Sequence, residues 1–390
     1  MKRQNWVLLV VFLCWGISVH SQEESELEII ADSVTHYIKH LKNDLVIAVN
    51  PQYGWFIPND DKDANLLIDD AYYAAVDIRV GWQTERGSVY GQLYNFPIYG
   101  IGFYQAYFGN RNIGAPNAVY GFLDIPLKRW KQFTWRAHMA FGLSYNFEPY
   151  DQENNPLNYM VGSYRNAYIN LGSYADYGLT DRLTLGLGVD LKHFSNGSSR
   201  QPNFGINLIS ILGTARYRFN PEKPDLQSLK IPAFKKRSEV YLLLGPGIKQ
   251  FKANGAIYLN TTAGIRLMRQ FNYRHRIGGG LDGFYLGNAF ANEEEKHHFF
   301  EYVTYGIAGD YELVYRNLSL NLALGVYLFR NETAGQSAFY YERLGIRYRF
   351  LDHLITGISV KVHGAEAEYI EWWVGYAFNR KKDRVFWEKR

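Results

Sequence analysis

From residue 46 to residue 379 the chain is a succession of runs, mostly of about 9 to 15 residues, in which apolar side chains take alternate positions. A period of two is the pattern of a strand with one apolar and one polar face. The runs fall at 46–57, 71–83, 88–108, 118–127, 133–146, 165–178, 182–195 and 205–219. After a Pro- and Lys-containing connector at 220–238 they resume at 239–250, 256–268, 275–287, 299–314, 318–329, 338–350, 354–362 and 368–379. None approaches the roughly 20 consecutive apolar residues that a membrane helix needs. The turns near Arg86, Lys131, Thr180, Asn317 and Asp352 are short, whereas 58–70, 109–117, 147–164, 196–204, 288–298 and 330–337 are longer and polar. Short turns on one rim and long loops on the other belong to an antiparallel barrel that crosses a membrane. The expected fold class is therefore all-β, a transmembrane antiparallel β-barrel of about 14–16 strands.

The ends of the chain place this barrel in a cell. Lys2 and Arg3, the apolar stretch Val7 to Ile17 and the small-residue exit Val19-His20-Ser21 read as a signal peptide over 1–21. Residues 22–45 follow as a periplasmic segment, with Ile30, Val34, Tyr37, Ile38 and Leu41 at helical spacing. A polar tail occupies 380–390. Cys14 is the only cysteine, so the mature chain has no disulfide, thiolate or Cys-ligated metal. A net charge of +4, dispersed along the chain, gives no footprint for nucleic acid. Thirty-two Tyr, 24 Phe and 36 Gly suit a barrel with aromatic girdles. The expected location is the bacterial outer membrane; a secreted soluble β-protein is the plainer alternative.

One polar stretch stands out against this background. In 183–195, Leu183, Leu185, Leu187, Val189, Leu191, His193 and Ser195 share one strand face, and that row is otherwise aliphatic. The opposite face carries Thr184, Gly186, Gly188, Asp190, Lys192 and Phe194 and suits a lumen. In 205–219, Asn207 shares its face with Ile209 and Ile211, again toward lipid. Polar groups are costly there. A histidine two residues from a serine on one face can reach the hydroxyl as general base, with a third group on the next strand to orient the imidazole. The chemistry so permitted is acyl transfer on a lipid of the outer leaflet. The residues alone also allow a plain strand end at the interface.

The stretch "HFSNGSSRQPNFGIN" (193–207) resembles the signature of PagL-type lipid A 3-O-deacylases, outer-membrane barrels related to the acyloxyacyl hydrolases. The matching positions are His193, Ser195, Asn196, Pro202, Asn203 and Gly205. The resemblance implies an ester hydrolase with Ser195 as nucleophile and His193 as general base. Asn203 and Asn196 would support the oxyanion, and no metal or organic cofactor is implied. It implies lipid A or another outer-leaflet lipid as substrate and covers 46–219 at best, leaving 239–379 as further barrel strands without assignment. The family's acidic triad member falls at Asn207, where an amide orients the ring but cannot offset its charge.

Three further features call for a reading. Residues 185–219 echo 322–350, with Arg330 opposite His193, which raises a duplicated eight-stranded unit. The run Glu293 to His298 reads as a solvated loop rather than a metal site, and Gly278–Gly280 as a bend in the wall. The rival to a hydrolase is a non-enzymatic barrel, a channel or structural protein with a decayed site, since about sixteen strands could enclose an aqueous lumen. A phospholipase is the third reading.

Overall fold

The computed structural model describes residues 45–68, 71–220, 222–291, 297–332, 334, 336, 338–364 and 366–379. The expected signal peptide, the helix over 23–43, the 380–390 tail and most of the 293–298 run lie outside these residues. Sixteen strands are present among the described residues, and they close into two barrels. The first comprises β1 (Leu45–Ile57), β2 (Tyr73–Gln83), β3 (Ile98–Tyr107), β4 (Gly114–Trp130), β5 (Phe133–Phe147), β6 (Asn166–Gly178), β7 (Leu183–Ser195) and β8 (Ile206–Arg218). The second comprises β9 (Arg237–Gln250), β10 (Ile257–Gln270), β11 (His275–Leu286), β12 (Val303–Tyr315), β13 (Leu318–Phe329), β14 (Tyr340–Phe350), β15 (Leu354–His363) and β16 (Glu366–Asn379). Every pairing is antiparallel; β1 pairs with β8 and β9 with β16, so neither sheet keeps an open edge.

Closure in eights settles what fills the inside. An eight-stranded barrel is just wide enough for its own side chains. In the first, Arg79 bonds Asp77 at 2.8 Å, His138 meets Asp124 at 2.6 Å, and Arg136 and Arg216 each reach Asp176 at 2.6 Å. In the second, Arg266 joins Asp282 and Asp310 at 2.7 and 2.6 Å, while Arg343 spans Asp282 at 2.9 Å and Glu371 at 2.8 Å. Lys192 pairs with Asp190 at 2.5 Å beside the rings of Tyr73 and Tyr104, and Lys361 with Glu368 at 2.5 Å beside Phe284 and Tyr327. All of these ionic groups are buried. The wide aqueous lumen that sixteen strands in one ring would leave does not exist.

The outward rows are apolar as the alternation requires. On β7, Leu185, Leu187, Val189 and Leu191 are exposed, Leu187 by 69%, while Asp190, Lys192 and Phe194 are buried. Exposed aromatics ring both rims: Tyr53, Trp55 and Tyr107 at the long-loop end, Phe133, Tyr217 and Phe350 at the short-turn end. Ten residues separate Asn207 from Tyr217 on β8. At about 3.3 Å per residue and a tilt of about 45°, that is a height of about 23 Å, close to the apolar band of a membrane barrel.

Three sequence expectations change. The run 88–108 is not one strand: Ser88 caps a short helix, α2 (Val89–Leu93), by accepting from Gly91 N at 2.9 Å. (A first helical turn, α1, covers Lys62–Asn65.) The connection near Arg86 is therefore long, because Tyr90 and Tyr94 leave the membrane wall to pack on Tyr273 and Tyr315 of the second barrel. Tyr94 also donates to Val314 O at 2.7 Å. The run 299–314 opens with a 3-10 turn, Phe299–Tyr302, before β12 begins. Finally, the 322–350 echo lies on β13 and β14, the fifth and sixth strands of their barrel, whereas 185–219 lies on the seventh and eighth of the other. The echoed hairpins thus occupy different places in the two rings, while an eight-stranded unit does occur twice, as the echo raised.

Candidate active site on the lipid-facing wall

The β7–β8 ladder assembles the polar stretch. Its register sets His193 directly opposite Asn207, and the outward faces of both strands carry the pair. Across that step Asn207 Oδ1 lies 2.7 Å from His193 Nδ1. An amide oxygen only accepts, so Nδ1 carries the proton and Nε2 keeps its lone pair. Cross-strand neighbours meet in this way without any long-range search.

Phe194, between His193 and Ser195, points the other way. It is fully buried and packs on Phe147, Tyr168, Tyr104 and Phe108 with ring centroids 5.3 to 6.4 Å apart. Burying such a side chain contributes about 2–3 kcal/mol. That anchor fixes the top of β7 and obliges His193 and Ser195 to face outward, where both are half-buried.

Ser195 is held from the loop that follows. Its Oγ accepts from Asn203 Nδ2 at 2.9 Å and from Gly197 N at 3.1 Å. With both lone pairs engaged, the hydroxyl hydrogen is left for donation. Asn203 Oδ1 in turn accepts from Asn196 N at 3.1 Å, so one side chain ties the two ends of the loop together. Asn196 Oδ1 takes Arg200 N at 3.2 Å, while Asn196 Nδ2 is buried with no hydrogen-bond partner among the described residues. Gly205 has φ +79°, and a Cβ there would sit 3.1 Å from His193 Cε1, so the residue must be small to leave the imidazole its place.

Six of the seven positions singled out in the sequence, His193, Ser195, Asn196, Asn203, Gly205 and Asn207, therefore meet at one point of the wall, and the seventh, Pro202, is buried in the loop beside Asn203. Two details differ from what strand arithmetic suggests. Among the described residues no hydrogen bond joins His193 to Ser195, which stand two residues apart with Oγ turned to Asn203 and Gly197. Catalytic hydrogen bonds are often loose in an unliganded site and tighten with substrate. Nor does any carboxylate among the described residues bond His193; Asn207 is its partner.

Neighbours that no local motif announces complete the site. Met160 O accepts from Gly205 N at 2.8 Å and Tyr159 O from Phe204 N at 3.3 Å, so the 148–165 loop backs the far end of the stretch. On the other side stand Gln250, Ala367 and Ile370 of the second barrel.

Known families cover both barrels. Residues 76–214 match the lipid A 3-O-deacylase (PagL) model, and 237–380 match the acyloxyacyl hydrolase C-terminal domain. The chain belongs to the PagL lipid A 3-O-deacylase and acyloxyacyl hydrolase family. The first match contains the whole 193–207 stretch. The second gives the family's C-terminal domain to the strands that the sequence resemblance left unassigned. The chain matches no curated protein. Among solved structures it is similar to OccAB4 of Acinetobacter baumannii, with 8% identity over 87% of this chain and 98% of that one, at a TM-score of 0.24. A mutant Rh. blastica porin gives 10% identity over 86% and 100% at 0.17, and a TodX monoaromatic hydrocarbon channel mutant 10% over 86% and 90% at 0.18. Scores this low carry nothing about the paired barrels. The PagL family membership makes the chain a membrane-embedded barrel of a lipid-hydrolase family.

Proposed function

We propose that the protein is a bacterial outer-membrane hydrolase that removes an ester-linked fatty acyl chain from lipid A or a related envelope lipid. The observation that carries this reading is the bonded cross-strand pair His193–Asn207, with Ser195 on the same lipid-facing row at the edge of the apolar band. Acyl esters of an outer-leaflet lipid lie at that height, so the substrate reaches the site by lateral diffusion.

In this reading Ser195 Oγ attacks the ester carbonyl while His193 Nε2 takes its proton. Asn207 Oδ1 holds Nδ1–H and so presents Nε2 to the serine. The donors beside Ser195 Oγ, Asn203 Nδ2 and Gly197 N, serve the charge that develops on the carbonyl oxygen, and Asn196 N holds Asn203 in place. Collapse of the tetrahedral intermediate expels the lipid alkoxide, which His193 protonates. Water, deprotonated by the same imidazole, then releases the fatty acid and restores Ser195. These steps use side chains and water alone.

Asn207 also favours a second reading, a site that keeps its architecture but has lost its turnover, because an amide does not offset the imidazolium charge. Expression in a Gram-negative host of defined lipid A, followed by mass spectrometry of the lipid, separates the two. The hydrolase predicts a species lighter by one acyl chain that disappears in Ser195→Ala. Unchanged lipid A in the wild type, or the same loss in Ser195→Ala, overturns it.

A further inference from the structure

The 196–203 loop does not rest on its own barrel alone. Ser198 Oγ donates to Ala367 O at 2.7 Å, Gln250 N donates to Ser198 O at 2.9 Å, and Gln201 N donates to Gln250 Oε1 at 2.8 Å. A Cβ at residue 197 would collide with the Ile370 side chain, so the Gly197 backbone lies directly against the β16 wall. Gly197 and Ser198 are consecutive left-handed residues, with φ +58° and +64°. For serine that conformation is uphill and persists only when its surroundings enforce it. The Ser198 hydroxyl and carbonyl oxygen are both held by the second barrel.

These contacts bear on the site through two short links. Gly197 N is one of the two donors on Ser195 Oγ, and Asn203, the other, lies two residues beyond Gln201. Gln250 is itself fixed: it is buried, and its Nε2 donates to Gly255 O at 2.8 Å. At the opposite rim Tyr90 and Tyr94 pack on Tyr315, so the two barrels also touch there.

We propose that the rim of the second barrel is a positioning clamp for the first barrel's site, in which Gln250, the Ala367 carbonyl and Ile370 hold the 196–203 loop so that Gly197 and Asn203 aim Ser195. The second barrel then has a task beyond crossing the membrane, and Gln250 is a positioning residue that touches no reacting atom. This rests on the reading of Ser195 as nucleophile.

The test uses the full-length protein in outer-membrane vesicles, with two readouts. One is Ser195-dependent acyl release; the other is backbone hydrogen exchange of 196–203. Gln250→Ala and Ser198→Ala are each expected to lower kcat about 10- to 100-fold, the scale on which misplacement by about 1 Å acts, with KM little changed. Gln250→Glu keeps an acceptor for Gln201 N but loses the Nε2 donor to Gly255 O and buries a charge, so it is expected to recover only part of the rate. Exchange across 196–203 should rise in both alanine variants while the strands of both barrels stay protected. Full kcat together with unchanged loop exchange in Gln250→Ala and Ser198→Ala overturns the clamp. If the wild type shows no Ser195-dependent release, the catalytic reading fails and exchange alone decides the clamp. If strand protection is lost in Gln250→Ala, the outcome in Ser198→Ala, a change confined to the loop, decides instead.

Discussion

Replacing Asn207 by aspartate tests the charge logic of the site with almost no change in shape. The new carboxylate would take the place of Oδ1, now 2.7 Å from His193 Nδ1, and the charge centres of an imidazolium–carboxylate pair at that contact stand about 4–5 Å apart. At an effective dielectric of about 20, Coulomb's law gives about 4 kcal/mol. The pair is half-exposed at the rim, so solvent screening and the cost of desolvating the carboxylate reduce this to about 1.5–3 kcal/mol. Applied to the imidazolium of the transition state, that is about 10- to 100-fold in kcat. The gain is smaller than the four orders of magnitude separating Asp from Asn in the serine-protease triad, because there the amide also imposes the wrong tautomer. Here Asn207 Oδ1 already faces the ring. Initial rates of fatty-acid release from lipid A in mixed micelles would measure the effect for folded Asn207→Asp, with Asn207→Leu as the opposite control, expected to fall at least tenfold. An unchanged or lower kcat in well-inserted Asn207→Asp would refute the role of His193 Nδ1 as the oriented nitrogen.

Other outcomes follow from single contacts. Gly205→Ala places a Cβ 3.1 Å from His193 Cε1 at φ +79°, so it should cost about 1–2 kcal/mol of stability and more than tenfold in kcat, read by chemical unfolding and acyl release. Leu187→Arg sets a charge on the exposed middle of β7 and should destabilise the inserted barrel by about 2–4 kcal/mol, measured by equilibrium unfolding from bilayers. Arg343→Leu leaves Glu371 without its cation in the second lumen, while Asp282 keeps Arg266, and should cost about 3–5 kcal/mol in the same assay. Because both lumens are filled by buried ion pairs, the purified protein should pass no steady current in planar bilayers; an open-channel conductance would contradict the packing.

Much of this molecule is legible because a membrane wall reports itself two residues at a time. The alternation on 183–195 separates Leu187 and Val189 from Asp190 and Lys192, and the structure has them exposed and buried in that order. The same local arithmetic brings His193, Ser195 and Asn207 to one face, since neighbouring strands in a hairpin have few ways to pair. It fails at 88–108, where Tyr90 and Tyr94 imitate a strand but serve the joint between barrels. It also fails for the support of Ser195, because Gln250 is 49 residues from its partner Gln201 and Ala367 is 169 from Ser198. Nothing in the spacing of either residue points back to the loop.

Period and turn length by themselves indicated the all-β class, about 14–16 strands and the faces of the site, and the residues of the 193–207 stretch carried the family resemblance, because each is legible in local sequence. Tertiary structure decided that the strands close as eight and eight, since ring closure depends on which distant edges meet, β1 with β8 and β9 with β16. It also decided that no carboxylate among the described residues bonds His193, and that the loop after Ser195 leans on a second barrel. Those contacts join residues far apart in the chain, and only the folded arrangement of two closed walls brings them within a hydrogen bond.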